Sequence, residues 1–389
     1  MKILVLGGDG FCGWPNALHL SHIGHEIGIV DNLSRRKIDV ELEVESLTPI
    51  TSIHTRLAAW REVSGKAITF FNMDIAQEYY QLLSLVKEFQ PQVIVHFAEQ
   101  RSAPYSTLSE RTKRYTVDNN INATNNVLCA IVESGLDIYL VHLGSIGVYG
   151  YHTTVMEIPE GYLNIKVQSR SSGELVDQEI LYPADTESIY HMTKAQDQLL
   201  FHYYSKNNGI RITDLHQGNV WGTRTEETNL DERLINRFDY DGVYGTVLNR
   251  FIIQAAVGYP LTVYGNGGQT RAFIHIQDTT RCIELAINNP PAKGTKVQIF
   301  NQITQTHRIK DLAETIAKMM PSVKINYVDN PRKDIEDKEN EFFVAKECFL
   351  SMGLKPIFLE KGLIEEIHDI ANKYQHRCDL TKIPPPVWT

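Results

Sequence analysis

Short apolar runs alternate with amphipathic stretches along the first 220 residues, and the alternation predicts strands and helices in turn. Ile3–Leu6 is the first run, a helical pattern follows to about His22, and "EIGIVDN" (26–32) reads as a second strand. "AITFFNMDI" (67–75), "QVIVHFA" (92–98), "DIYLVHLGS" (137–145) and "IRITDLHQGNV" (210–220) complete the set, with helical patterns at 115–135 and 187–207. Strands and helices in this order predict a parallel sheet covered on both faces.

Two stretches break the rhythm. Residues 34–66 make a long, partly helical excursion between the second and third strands, and 150–183, with Gly, Pro and polar residues, reads as a flap or short hairpin. Long segments of this kind in a compact fold are usually functional. Past residue 220, helical patterns (247–257, 275–288, 308–319, 358–374) mix with short strands such as "LTVYG" and "VQIFN". The expected division is a first domain over 1–218 and a smaller α/β domain over 219–389, with about 246–282 interleaved with the first. The tail "TKIPPPVWT" is expected to lie extended on the surface.

Composition and charge narrow the class. A chain of 389 residues is long enough for a large core. A net charge of −9 offers no basic excess to neutralise a nucleic-acid backbone, although local arginines can still hold small anions. No apolar stretch is long enough to span a bilayer. Strand-like sequence begins at residue 2, which leaves no room for a leader, and Cys12, Cys129, Cys282, Cys348 and Cys378 are scattered without a CxxC pair. A reducing, cytoplasmic setting and no metal site are expected.

"VLGGDGFCGW" places Gly7-x-x-Gly10-x-x-Gly13 where the first strand gives way to a helix. Glycines there allow a tight turn and close approach of backbone N–H groups to a pyrophosphate, and the helix N-terminus adds positive potential. Asp31 ends the next strand, where a carboxylate binds the adenosine ribose hydroxyls and repels a 2′-phosphate. That favours NAD over NADP, and Arg35 and Arg36 close by weaken the preference. Asp74, after the third strand, is placed for the adenine amino group. The expected fold class is α/β, a Rossmann-type doubly wound parallel sheet with a smaller C-terminal α/β substrate-binding domain.

"SIYHMTK" sets Tyr190 and Lys194 four residues apart, on one face of a helix. A tyrosine with a pKa of about 10 is a poor base near neutrality, and a neighbouring ammonium favours its phenolate. Ser145 in "GSIGVYG" stands at a strand end, placed to bond the same substrate oxygen. The glycine-rich turn, the serine and Tyr-x-x-x-Lys in this order resemble the extended short-chain dehydrogenase/reductase family over nearly the whole chain. That resemblance implies hydride transfer between a sugar carbon and NAD.

A sharper resemblance rests on "DNLSRRKID", "ESLTPITSIHTRLAAW", "HFAEQRSAPYS", "RFDYDGVYGTVLNRF", "QAAVGYPLTVYGNGGQTRAF" and "FNQITQ". In this order these blocks resemble the UDP-sulfoquinovose synthase family, whose members make UDP-sulfoquinovose from UDP-glucose and sulfite with tightly held NAD. The 34–66 excursion is similar to that family's insertion. The resemblance implies NAD contacts from Gly7, Gly10, Phe11, Cys12, Gly13, Asp31, Asn32, Arg35, Arg36, Asp74, Ile75, Ala98, Glu99, Gln100, Asn120, Tyr190, Lys194, Gln217 and Val220. For the sugar nucleotide it implies Arg101, Tyr105, Ser145, His191, Gln217, Asn249, Arg250, Thr262, Val263, Tyr264, Gln269, Arg271, Gln302 and Arg332. It also implies a homodimer through the helices at 115–135 and 187–207, with sulfite either free or delivered by a partner protein.

The implied chemistry is oxidation at C4 with Tyr190 as base, loss of water across C5–C6, addition of sulfite at C6 and reduction at C4. Nucleotide-sugar 4,6-dehydratases carry an Asp–Glu pair directly after the serine or threonine, and this chain has Ile146 and Gly147 there. His191, next to Tyr190, is the replacement acid–base the sequence offers. Arg101 faces two candidate anions, the diphosphate and sulfite, with a structural ion pair to Glu99 or to a flap carboxylate as the alternative. The rival activities are a sugar-nucleotide 4-epimerase, which needs no second acid–base, and a non-catalytic NAD-binding protein.

Overall fold

The structure, a computed structural model, describes residues 1–150, 156–182, 184–329 and 342–383. The first half runs β1 (Lys2–Leu6), α1 (Gly13–His22), β2 (Glu26–Asp31), α2 (Ser34–Leu42), α3 (Ile53–Ser64), β3 (Ile68–Asn72), α4 (Tyr79–Phe89), β4 (Val93–His96), α5 (Glu110–Ser134) and β5 (Tyr139–Ser145). It continues with β6 (Tyr162–Gln168), β7 (Leu175–Leu181), α6 (Ile189–Asn208), β8 (Arg211–Gln217) and β9 (Asn219–Trp221). The remainder is α7 (Val247–Ala256), β10 (Leu261–Tyr264), β11 (Thr270–His275), α8 (Ile276–Asn288), β12 (Gln298–Gln302), β13 (Gln305–Arg308), α9 (Ile309–Met319), β14 (Ile325–Val328), α10 (Glu347–Ser351) and α11 (Leu359–Lys373).

Seven strands form one parallel sheet in the order β12-β8-β5-β4-β1-β2-β3. Strand order reverses between β1 and β4, so the carboxyl ends diverge there and leave the crevice in which open α/β sheets bind ligands. Ile3–Leu6 and Val93–His96 are buried throughout because helices cover both faces. Leu82, Val86, Val127, Leu128 and Phe201, from α4, α5 and α6, fill one face, and Trp14, Leu18, Trp60 and Ile283, from α1, α3 and α8, fill the other.

Capping fixes the helices that carry the site. Ser109 and Thr112 close a capping box on α5, Ser188 caps α6, and Gly135 and Gly209 end these helices in the left-handed conformation. A separate core joins α7, α9 and α11 through Phe251, Ile252, Leu312, Ile316, Leu363 and Ile367. α9 buries Ile309, Leu312, Ala313 and Ile316, the i, i+3, i+4, i+7 stripe of an amphipathic helix.

The interleaving differs from the sequence expectation. "VQIFN" supplies β12, the seventh strand of the main sheet, and not a strand of the smaller domain. Within 246–282, α7 and β10 pack in the separate core, and only the stretch from Ile274 through α8 covers the main sheet. The 34–66 excursion holds α2 and α3, and β6 and β7 pair as an exposed antiparallel hairpin. Arg332 and the end of the tail, 384–389, lie outside the described residues.

Candidate active site

One cavity of about 440 Å³ opens over the carboxyl ends of the parallel strands. It is lined by Gly7, Gly10, Phe11, Cys12, Gly13, Asp31, Asn32, Asp74, Ile75, Ala98, Glu99, Gln100, Gln217 and Val220, all of them residues that the sequence puts forward for the cofactor. The glycine turn fits a dinucleotide. A Cβ on Gly7 would lie 2.7 Å from the Ala98 nitrogen, so the turn packs against the end of β4 and leaves its outer side for the pyrophosphate. Asp31 accepts from the backbone N–H groups of Asp9 (2.9 Å) and Leu33 (2.7 Å), which aims its carboxylate into the cavity. The donors, the carboxylate and the turn suit NAD.

Two cofactor expectations are corrected. Arg36 does not line the cavity, because its guanidinium binds Asp9 through Nε (2.6 Å) and Nη2 (2.9 Å) and also donates to the Thr51 carbonyl (2.8 Å). Asn120 is fully buried and acts from behind, its side chain bonding both the N–H and the carbonyl of Gln100 (2.8 and 3.0 Å). Cys12 donates to Gln217 Oε1 at 3.7 Å, and burial pushes its thiol up to about 12, so it meets the cavity as a neutral group.

The catalytic group gathers where α6 starts. Ser188 caps the helix by accepting from the His191 N–H (3.2 Å), and its hydroxyl also engages His191 Nδ1 (3.1 Å). This places Tyr190, His191 and Lys194 on the cavity wall beside Ser145, whose hydroxyl is near enough to Tyr190 to favour its ionised form. The Nε2 edge of His191 lies over Gly147, and a Cβ on Gly147 would overlap it. The imidazole thus fills space that a side chain at position 147 would occupy.

Lys194 is less simply an activator of Tyr190 than the sequence suggests. Its ammonium lies 2.8 Å from Glu99 Oε2, donates to the Leu143 carbonyl (2.7 Å) and approaches His142 Nε2 (3.1 Å). Burial raises the Tyr190 pKa, and although Lys194 opposes this, Glu99 adds to it. These groups together favour Tyr190 as a phenol.

Behind Glu99 runs a buried line of polar side chains. His142 bridges Glu99 Oε1 (2.9 Å) and Asp214 Oδ1 (2.8 Å), Asp214 Oδ2 meets His216 Nε2 (3.0 Å), and His216 Nδ1 meets the Tyr149 hydroxyl (2.6 Å). Burial and Lys194 work against a charge on His142, but Asp214 and Glu99 outweigh them and hold it up to about 9. Burial also opposes the charges of Glu99 and Asp214, and their cationic neighbours keep both carboxyls well below the usual range. Asp197, dominated by its burial, has its carboxyl pushed far upward. Lys194 and His142 thus face the carboxylates of Glu99 and Asp214. Glu99, His142 and Asp197 have the spacing of a metal triad, but the Lys194 ammonium already lies 2.8 Å from Glu99 and 3.1 Å from His142 and would repel a cation there. Changing Glu99→Gln leaves two buried cations on one carboxylate and is expected to cost about 3–5 kcal/mol of unfolding free energy, measured by urea titration.

At the far end, Arg101, Arg250, Tyr264, Gln269 and Arg271, candidates for the sugar nucleotide, line the cavity. Among the described residues Arg101 pairs with neither Glu99 nor a flap carboxylate. It donates to Asp239 Oδ2 (2.6 Å), its guanidinium carbon lies 5.3 Å from the Tyr244 ring, and about a third of its side chain remains exposed. Asp239 also takes Arg35 (3.2 Å) and Arg237 (3.1 Å), and the three guanidiniums outweigh its burial and depress its pKa. Tyr105, Asn249, Thr262, Val263 and Gln302 do not line the cavity. Tyr105 packs with Ile38 and Tyr244, Val263 is core, Thr262 bonds Gln254 (3.1 and 3.2 Å), Asn249 donates to the Asp239 carbonyl (3.4 Å), and Gln302 accepts from Gln217 (2.8 Å). Sequence reasoning missed Asp9, His142, Asp214, Arg237, Asp239 and Tyr244. The available signals were charged residues inside apolar strands and the alternation of charge with aromatics in "RFDYD".

This arrangement is that of an NAD-dependent enzyme acting on nucleotide sugars, and the chain belongs to the NAD dependent epimerase/dehydratase family, whose sequence model it matches over residues 3–301. Within that family it is 44% identical to the chloroplastic UDP-sulfoquinovose synthase of Spinacia oleracea, over 99% of this chain and 78% of that one. It is 38% identical to the UDP-sulfoquinovose synthase of Sulfolobus acidocaldarius, over 94% of this chain and 91% of the other. The fold is shared with the UDP-glucuronic acid 4-epimerase of Bacillus cereus, solved with UDP-glucuronic acid and NAD, at a TM-score of 0.68, 22% identity and coverage of 96% and 100%.

Proposed function

We propose that the protein makes UDP-sulfoquinovose from UDP-glucose and sulfite. The observation that carries this reading is His191 seated over Gly147 beside Ser145 and Tyr190, a second acid–base group that a 4-epimerase does not need. The two UDP-sulfoquinovose synthases at 44% and 38% identity support it.

The residues divide the work. Bound oxidised nicotinamide would join Lys194 in favouring ionisation of Tyr190, and as the phenolate beside Ser145 it takes the proton from the C4 hydroxyl. NAD, when bound, supplies the acceptor of the C4 hydride and returns it at the end of turnover. The C4 ketone acidifies C5–H. His191 takes that proton and delivers it to the C6 hydroxyl, which leaves as water and gives a 4-keto-5-ene. Hydrogen sulfite adds through sulfur at C6, and its proton passes through His191 to C5. Tyr190 returns its proton to O4. The sum is UDP-glucose plus hydrogen sulfite to UDP-sulfoquinovose plus water. Arg101, partly exposed on the cavity wall, is the proposed guide for sulfite and the C6 end of the sugar, with Arg250, Gln269 and Arg271 on the UDP side.

Two further parts belong to this reading. Leu199 and Tyr203 on α6 and Val132 on α5 are exposed apolar residues that support a homodimer through these helices. The five cysteines form no disulfide, which favours a reducing compartment such as the cytoplasm. No helix among the described residues is long and apolar enough to cross a membrane.

Incubation of the purified protein with UDP-glucose and isotopically labelled sulfite is expected to yield a UDP-sugar carrying the label, identified by mass spectrometry. Formation of UDP-galactose with no sulfonated product would establish a 4-epimerase instead.

A further inference from the structure

The glycine-rich turn contains a carboxylate that the established role of such turns does not require. Asp9 stands between Gly8 and Gly10, is 5% exposed and lines the cavity. Its backbone N–H donates to Asp31 Oδ2 (2.9 Å), so it sits at the ribose corner of the dinucleotide site. Three guanidinium nitrogens converge on its carboxylate: Arg36 Nε (2.6 Å), Arg36 Nη2 (2.9 Å) and Arg56 Nη1 (2.9 Å). Arg56 is fully buried on α3, lies 3.9 Å over the Trp14 ring and also donates to the Ile235 carbonyl (3.3 Å). Both arginines come from the 34–66 excursion, whose purpose the sequence pattern leaves open.

A 2′-phosphate needs a guanidinium with donors to give, and it must avoid fixed carboxylates. The two arginines that follow β2 are the candidates for that contact. Arg35 is committed to Asp39 and Asp239 and stacks on Tyr244 at 3.7 Å. Arg36 is committed to Asp9. The charge of Asp9 is also felt at Asp31, where burial and then Asp9 push the carboxyl up to about 6.

We propose that Asp9 is a second specificity determinant for NAD over NADP. It places negative charge beside Asp31 and, held by Arg56, occupies the guanidinium of Arg36 that would otherwise receive a 2′-phosphate. Neutralising Asp31 alone therefore does not open the site to NADP. This holds whichever sugar nucleotide the enzyme turns over.

The test is a competition for binding. The unaltered protein, Asp31→Asn and Asp31→Asn/Asp9→Asn are each incubated with equal concentrations of NAD and NADP and freed of excess by gel filtration. The nucleotide released on heating is then quantified. Asp31→Asn is expected to raise the NADP:NAD ratio by no more than about threefold, and adding Asp9→Asn to raise it a further tenfold or so, with loss of the gain at high salt. Adding Arg36→Gln to the double variant should return the ratio to that of Asp31→Asn. Because Asp9→Asn leaves Arg56 buried without its anion, Asp31→Asn/Asp9→Asn/Arg56→Met is measured in parallel and should show the same gain. A ratio for both Asp9 variants equal to that of Asp31→Asn would overturn the proposal.

Discussion

Replacing Tyr190 with phenylalanine is expected to lower turnover about 10³-fold while leaving nucleotide and UDP-sugar binding within about twofold. The substitution removes one hydroxyl and keeps the ring that packs 5.1 Å from His191, centroid to centroid, so the wall of the cavity survives. Only the proton transfer at the C4 oxygen is lost. Ser145 remains, but a serine hydroxyl bonded to Gly147 N–H (3.2 Å) cannot accept that proton at neutral pH. Rapid-mixing kinetics together with equilibrium binding separate the two quantities. Turnover within threefold of the unaltered enzyme would remove Tyr190 from the role of base.

Changing His191→Asn is expected to divide the reaction at its middle. The C4 oxidation needs Tyr190, Ser145 and Lys194, none of which is altered, so UDP-glucose should still reduce the bound NAD, visible as the near-ultraviolet absorbance of NADH. Elimination should fall by about 10²–10⁴-fold, seen as loss of C5 deuterium exchange and of sulfonated product. Gly147→Ala provides the matching variant without altering the imidazole itself. Its methyl group overlaps His191 Nε2, so the ring must turn away and the same phenotype is expected. Normal C5 exchange in both variants would place the elimination base elsewhere in the cavity.

Much of this site was legible because its signals are local. Gly7, Gly10 and Gly13 form one turn, Tyr190 and Lys194 lie one helical turn apart, and Ser145 ends a strand, so spacing alone placed them. The partners that set their charge states were not legible. Glu99, His142, Asp214 and His216 come from three neighbouring strands or their ends, and only the sheet order brings them within 3 Å. Their trace in the sequence was a titratable residue in each apolar strand, at His96, His142 and Asp214, which pattern reading passes over as exceptions. Asp239 draws arginines from positions 35, 101 and 237, a convergence no sequence spacing encodes. "VQIFN" reads as part of the smaller domain because a five-residue strand mixing Ile299 and Phe300 with amides looks alike in either sheet.

The late arrival of β12 has a consequence for synthesis. β8 is complete when Gln217 leaves the ribosome, but its outer partner ends at Gln302, about 85 residues later, or roughly 4–17 s at typical translation rates. Throughout that interval the nascent chain carries an unpaired parallel edge, the kind of template on which two chains join. The delay favours expression at low temperature or with a chaperone that covers the edge, and it makes the first 218 residues a poor unit to produce alone.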